Sequence, residues 1–289
     1  MPAARSACLV CDGPMESYRR LPGLLRCRSC GFVTADLVLS VREFETLYGR
    51  DYFHGSEYAD YVAEGPSLKD NFRPRLRALV RHLPEPRAKA LFEIGCAYGF
   101  FLELARDEFA RVRGVDISED AVRHAREALG VHAVKADFLD DGVGDGFDVY
   151  CLWDTIEHLA EPGRVVAKIA RVIKPGGLVA ITTGDIESAL ARIQGRRWRM
   201  IHPPTHLHYF SRATLERLLR RHGFEVLAVD YPVTTRSLRM ILSGLLVLRR
   251  PASSWSVSLY RKLDRLPFLD LSIPLNTFDI MYVIARRPG

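Results

Sequence analysis

Two Cys-x-x-Cys pairs open the chain, Cys8/Cys11 and Cys27/Cys30, with residues 12–26 between them. Four thiolates at this spacing can close a tetrahedron around one zinc ion, with turn residues Gly13-Pro14 and Gly31 beside the knuckles. A four-thiolate shell leaves no open coordination position, so this metal is assigned to folding and not to catalysis. A second set lies far along the chain: adjacent Glu157 and His158, then alternating His206 and His208. Histidine titrates near neutrality, which makes Glu157-His158 a candidate for proton transfer; helix capping is the structural alternative. In an extended segment His206 and His208 face one side, either lining a pocket or packing. A third set is acidic: Glu93, Asp116 and Asp137.

The elements that must position these residues follow from hydrophobic pattern. Ala90 to Ile94 reads as a buried strand, Gly95 and Gly99 as a turn, and Phe100 to Asp107 as helical. Strand, glycine turn and helix form the local anatomy of a nucleotide site, because glycine allows a sharp bend and close ligand approach. The spacing is Gly-x-x-x-Gly and not the dinucleotide fingerprint. Val112 to Asp116 is a second strand ending in an acid, a position that commonly binds ribose hydroxyls. Strands at 90–94, 111–116, 131–135, 147–152 and 177–183 alternate with helices at 100–108, 119–129 and 162–173, which implies a mainly parallel α/β sheet. Ligands of such sheets sit beyond the carboxyl ends of the strands. Glu93 to Gly99, Asp116, Asp137-Phe138, Trp153 to His158 and Thr182 to Asp185 all fall there. Further on, Ser211 precedes a helix at 212–221, 224–231 reads as a strand, 237–275 as two helical insert segments, and 278–285 as a last, antiparallel strand.

Glu93-Ile-Gly-Cys-Ala-Tyr-Gly99 and Gly114-Val-Asp116-Ile-Ser118 resemble the first two motifs of the class I S-adenosylmethionine-dependent methyltransferases. Phe147 to Leu159, and Lys174-Pro-Gly-Gly177 with the run to Thr182, resemble that family's fourth strand, following helix and fifth strand. The resemblance covers about residues 88–231. It implies a Rossmann-like, seven-stranded, mainly parallel sheet with helices on both faces. It also implies S-adenosylmethionine held by Glu93, Gly95, Cys96, Ala97, Tyr98, Gly99, Asp116, Ile117 and Trp153, with Asp137 and Phe138 at the adenine. Ala97 stands where the family often has glycine, so a slightly narrower approach is expected. The run His206-Leu-His-Tyr-Phe-Ser211 and Gly223-Phe-Glu225 resemble a subgroup of ubiquinone-biosynthesis O-methyltransferases and sugar methyltransferases. The ribbon is similar to that of zinc-bearing sugar C-methyltransferases, whose matching Glu-His pair implies His158 as general base. Those chains are longer, with a further C-terminal domain missing here. The ubiquinone enzymes imply a divalent ion at Glu157-His158 as a further option.

The chain has 289 residues, of which 48% are hydrophobic, enough for one large domain and a small one. The expected division is a zinc ribbon at 1–35, an aromatic linker and helical lid at 36–87, and a methyltransferase domain at 88–289. Phe44, Tyr48, Tyr52, Phe53, Tyr58 and Tyr61 serve either as packing or as a lid, and 68–83 reads as a helix stopped by Pro84. A net charge of +6 is a mild basic excess without a polybasic run: a solvated surface first, nucleic acid or an anionic membrane second. The apolar face Leu238, Ile241, Leu242, Leu245 and Leu246 either covers the pocket or rests on a membrane. The first residues carry no apolar signal segment and no stretch reaches the ~20 apolar residues of a spanning helix, so a cytoplasmic protein is expected. The expected acceptor is a small molecule, a sugar or glycan, or a lipid-linked molecule; nucleic acid is not. The alternatives are a zinc-ribbon ribosomal-RNA base methyltransferase and a non-catalytic cofactor-binding partner protein. Against the RNA enzyme, Trp153-Asp-Thr-Ile-Glu-His158 stands where base N-methylating enzymes often carry Asn/Asp-Pro-Pro-aromatic.

Overall fold

The computed structural model describes residues 6–39, 61–239, 254–264, 266, 269 and 271–289, with isolated positions 43, 46, 47, 242 and 246. Three short strands, β1 (Met15–Ser17), β2 (Leu24–Cys27) and β3 (Val33–Ala35), form an antiparallel N-terminal sheet. Its loops bring the four cysteines together. Helix α1 (Gly65–Val80) starts with Pro66, tolerated where the first N–H is unpaired anyway. It buries Phe72, Arg75, Leu76 and Leu79, one stripe at helical spacing.

The main sheet follows the alternation in the sequence. β4 (Ala90–Ile94), α2 (Phe100–Ala105), β5 (Arg111–Asp116), α3 (Glu119–Glu127), β6 (Ala133–Lys135), β7 (Val149–Trp153), α4 (Pro162–Val172) and β8 (Leu178–Gly184) build the parallel part. After α5 (Ala189–Gln194) comes a two-residue strand, β9 (His208–Tyr209), then α6 (Arg212–Arg221) and β10 (Glu225–Asp230). β11 (Thr234–Ser237), α7 (Trp255–Leu263), β12 (Ser272–Leu275) and β13 (Ile280–Arg286) complete the described elements. The seven-stranded order is β10-β13-β8-β7-β4-β5-β6, with β13 antiparallel to both neighbours. β4, β7 and β8 are buried at every position, as central strands covered on both faces must be.

Three differences from the sequence reading are informative. Residues 234–237 and 272–275 pair as an antiparallel ribbon, β11 with β12, so both ends of the 237–275 region expected as helical inserts are strand. Thr234, Thr235 and Ile273 are β-branched and suit a pleated strand. Ile241 and Leu245 of the expected apolar face lie outside the described residues, as do Phe44, Tyr48, Tyr52, Phe53 and Tyr58. Ser211 caps α6 with Thr214 as its reciprocal partner; Glu216, one turn on, pairs instead with Arg212 and Arg220 at 2.8 and 2.7 Å. Finally, β9 joins β3, so the N-terminal sheet has the order β1-β2-β3-β9 and one of its strands comes from the main domain. Among the described residues no helix is long and apolar enough to cross a membrane.

Candidate functional site

A cavity of about 680 Å³ opens beyond the carboxyl ends of β4, β5, β6 and β7. Its lining includes Gly95, Ala97, Asp116, Ile117, Asp137, Phe138, Trp153 and His158. Glu93, Cys96, Tyr98 and Gly99, also expected at the cofactor, are not in the lining. The loop's shape is set by left-handed residues. Gly95 has φ +73°, and a Cβ there would meet Thr155 Cγ2 at 2.6 Å. Gly99 has φ +82°, and a Cβ there would meet Ala125 and Val131 at 2.8 and 2.9 Å, so this glycine lets α2 pack on α3. Ala97 also takes positive φ, +44°, a conformation that strains an L-residue. Asp116 holds it there: Ala97 N–H donates to Asp116 Oδ2 at 2.8 Å, and Ser118 N–H donates to Oδ1 at 2.9 Å.

Electrostatics at this end are acidic and desolvated. Burial, then Asp116, pushes the Glu93 carboxyl well above its ordinary range, and Glu93 Oε2 is buried without a hydrogen-bond partner. Burial also raises Asp116, against the pull of its backbone N–H bonds. At the β6 end Asp137 Oδ1 accepts from Leu139 N–H at 2.8 Å, while buried Lys168 donates to the Phe138 carbonyl at 2.5 Å. These bonds fix an exposed acid beside a buried ring.

The opposite wall comes from α1. Arg75 is only 6% exposed, yet it interrupts the apolar stripe of the helix. Its Nη1 donates to Asp154 Oδ2 at 3.1 Å and to Thr182 Oγ1 at 3.3 Å, and its guanidinium lies 5.8 Å from the Trp153 ring centre. Arg75 also lines the cavity. Trp153 Nε1 and Asp154 Oδ1 are buried without partners at the same wall. Tyr61 lines the cavity and stacks on Phe100 at 5.8 Å. Arg75 was missed in the sequence, and Asp154 was placed there only as part of Trp153 to His158, without a role of its own. A charge placed between Phe72, Leu76 and Leu79 on a buried stripe is the signal that marks Arg75.

Glu157 and His158 follow β7. His158 Nδ1 donates to the Thr205 carbonyl at 2.9 Å, and its ring stands 4.5 Å from that of His206. Burial draws His158 down to about 4, so the ring is neutral at physiological pH instead of titrating near it. Burial, then Asp154, lifts Glu157 to about 8, and both its oxygens are buried without partners. His206 donates Nδ1–H to the Met200 carbonyl at 2.8 Å and is also held neutral by burial and by the neighbouring His158 and His202 rings. Glu157, His158 and His206 each offer a ligand atom, all within 4.8 Å of one another. His208 is not brought to this group. It is 1% exposed at the ribbon junction, with Nε2–H donating to the Leu159 carbonyl at 2.8 Å and Nδ1 3.0 Å from Thr34 Oγ1.

Cys8, Cys11, Cys27 and Cys30 also offer ligand atoms within 4.8 Å of one another. Cys8 Sγ lies 3.6 Å from Cys30 Sγ, and Cys11 Sγ 3.5 Å from Cys27 Sγ. A tetrahedron with Zn–S bonds of about 2.3 Å has edges of about 3.8 Å, so the set fits. Val10 and Ser29 N–H groups point at Cys8 and Cys27 sulfurs, each at 3.4 Å.

The model of the methyltransferase domain family matches residues 68–229. Over 150 residues the chain is 29% identical to a ubiquinone biosynthesis O-methyltransferase of Thiobacillus denitrificans, a match covering 47% of this chain and 65% of that one. Over 136 residues it is 30% identical to the dTDP-3-amino-3,4,6-trideoxy-alpha-D-glucopyranose N,N-dimethyltransferase of Streptomyces venezuelae, covering 45% and 54%. In fold it is similar to a SAM-dependent methyltransferase from Archaeoglobus fulgidus, with TM-score 0.52, 21% identity, and 78% and 98% of the two chains covered.

Proposed function

The chain belongs to the methyltransferase domain family, and from that premise we propose that it moves a methyl group from S-adenosylmethionine to a small-molecule, sugar or lipid-linked acceptor. The observation that carries this reading is the Asp116–Ala97 clasp, which ties the glycine loop to the end of β5 at the mouth of the cavity. Bound there, the cofactor supplies an electrophilic methyl already activated by its sulfonium.

The protein's part is placement and proton handling. Gly95 and Ala97 let backbone approach the ligand, and each Asp116 oxygen keeps a lone pair for ribose hydroxyls. Asp137 and Phe138 serve the adenine, an acid for its amino edge and an apolar ring beside it. The Arg75 guanidinium suits the cofactor's carboxylate, and the cofactor's ammonium offsets the desolvation that pushes buried Glu93 toward its neutral form. Walls of Phe72, Tyr61 and Trp153 exclude water, which strengthens each of these contacts. His158 is our general base. Its Nδ1–H donates to the Thr205 carbonyl, and a neutral imidazole takes up a proton at its second ring nitrogen. The four cysteines hold a structural zinc ion.

A divalent cation on Glu157, His158 and His206 is a second reading, favoured by the two partnerless oxygens of Glu157 and by the backbone carbonyls that orient both histidines. Metal content of the purified chain separates the two: one metal per chain means the ribbon alone, and a second that vanishes in Glu157→Gln supports the cation.

Transfer of tritium from methyl-labelled S-adenosylmethionine tests the function. Label in phenolic, nucleotide-sugar or lipid fractions supports it. Label confined to RNA overturns the acceptor class, and no label in any fraction supports a non-catalytic binding protein.

A further inference from the structure

The ribbon and the proton-handling end of the cleft are built on shared backbone. Val33 and Thr34 of β3 pair with Tyr209 and His208 of β9. Ala35 N–H and the Thr34 hydroxyl both donate to the Leu207 carbonyl, at 2.8 and 3.0 Å. On its other side the same segment is tied to the catalytic loop. Leu207 and His208 N–H groups both donate to the Glu157 carbonyl, at 2.9 and 3.1 Å. His208 adds a bond to Leu159, so residues on either side of His158 are gripped by one strand. The segment also carries Thr205, which orients His158, and His206, whose carbonyl accepts from Tyr209 OH at 2.8 Å.

The zinc knuckles reach the same place by packing. Cys8, Val10, Cys27 and Phe32 belong to one apolar cluster with Ile156 and Val165 of the main domain. Phe32 is fully buried, 5.7 Å from the His208 ring and 5.1 Å from Phe210. Gly163, at the start of α4, admits the first knuckle: a Cβ there would stand 3.0 Å from the Leu9 carbonyl. Arg221 of α6 donates to the Val10 carbonyl at 3.1 Å.

We infer that the ribbon is a positioning element of the catalytic centre: β3, held by the metal-bound knuckles, fixes the segment from His202 to His208 and through it the placement of the His158 and His206 rings. It rests on the reading of His158 as the acceptor-side base. A unit this small does not hold itself by core burial, so releasing its metal releases β3. The cofactor loop at Gly95 to Gly99 shares no backbone bond with the ribbon among the described residues, so cofactor affinity is spared. Thr34 is the positioning residue through which this runs.

The test uses the full-length chain with ¹⁵N-labelled histidine, zinc-loaded and after chelation under reducing conditions, together with Thr34→Val and Thr34→Ser. In the loaded protein His158 shows a single tautomer with the proton on Nδ1. Zinc removal or Thr34→Val is expected to average that signature and to speed amide exchange at Leu207 and His208 by about tenfold or more. Thr34→Ser restores both, and affinity for S-adenosylhomocysteine stays within about twofold throughout. Unchanged histidine signals and exchange would overturn the coupling. So would a parallel collapse of cofactor affinity, which means the ribbon only supports global stability. Absence of S-adenosylhomocysteine binding in the zinc-loaded chain counts against the methyltransferase reading and leaves the coupling readouts intact.

Discussion

Asp116 accepts the backbone N–H of Ala97 at 2.8 Å. One carboxylate therefore closes the glycine loop after β4 onto the end of β5 and holds a non-glycine residue in the left-handed region. Asp116→Ala removes the clasp and a ribose acceptor together. Affinity for S-adenosylhomocysteine is expected to fall at least about tenfold, or ~1.5–3 kcal/mol for a charge-assisted bond, measured by calorimetry. A shift under twofold contradicts the assignment.

Gly99 and Ala97 make opposite predictions from the same φ argument. Gly99→Ala adds a methyl 2.8 Å from Ala125 Cβ in a left-handed residue, so a loss of about 2–3 kcal/mol is expected in urea unfolding. Ala97→Gly relieves strain but adds unfolded-state entropy, and its stability should lie within about 1 kcal/mol of the parent.

Arg75 links α1 to the cleft. Arg75→Met removes a cavity-facing cation and leaves Asp154 with neither oxygen paired. Cofactor affinity should drop about tenfold or more, with ~1–3 kcal/mol lost from stability. Arg75→Lys should not restore affinity, because an ammonium cannot reach Asp154, Thr182 and a ligand carboxylate in one fork. Full rescue by lysine would show that charge alone matters.

The two buried groups after β7 act on stability in opposite pH windows. Glu157 is raised from 4.5 to about 8, so its contribution is complete below about 4.5 and is lost as pH rises through about 8. His158 is lowered from 6.5 to about 4, so its contribution is complete above about 6.5 and is lost as pH falls through about 4. Thermal melts of Glu157→Gln should flatten the alkaline decline while leaving the acid limb in place. An unchanged alkaline limb contradicts the burial of an uncompensated carboxyl.

The main sheet was legible because its central strands are buried on both faces and read as apolar runs, as in Leu178–Ile181 and in Leu91–Ile94, broken only by Glu93. Strand-end positions of Gly95, Asp116, Asp137 and Trp153 followed from that alternation and from the motif resemblance. Thr34, Leu207 and His208 were not legible as a unit, since a two-residue strand pairing across the chain leaves no periodic trace. The His206/His208 alternation suggested a shared face, but only His208–Tyr209 is strand, so the two rings diverge. The low basicity of His158 was also hidden, because it arises from burial under a segment distant in sequence.

Calorimetry with S-adenosylhomocysteine tests the central claim most directly. One molecule is expected to bind per chain with a dissociation constant on the order of micromolar, about −8 kcal/mol, and to lose affinity in Asp116→Ala. No heat of binding at millimolar ligand would contradict it.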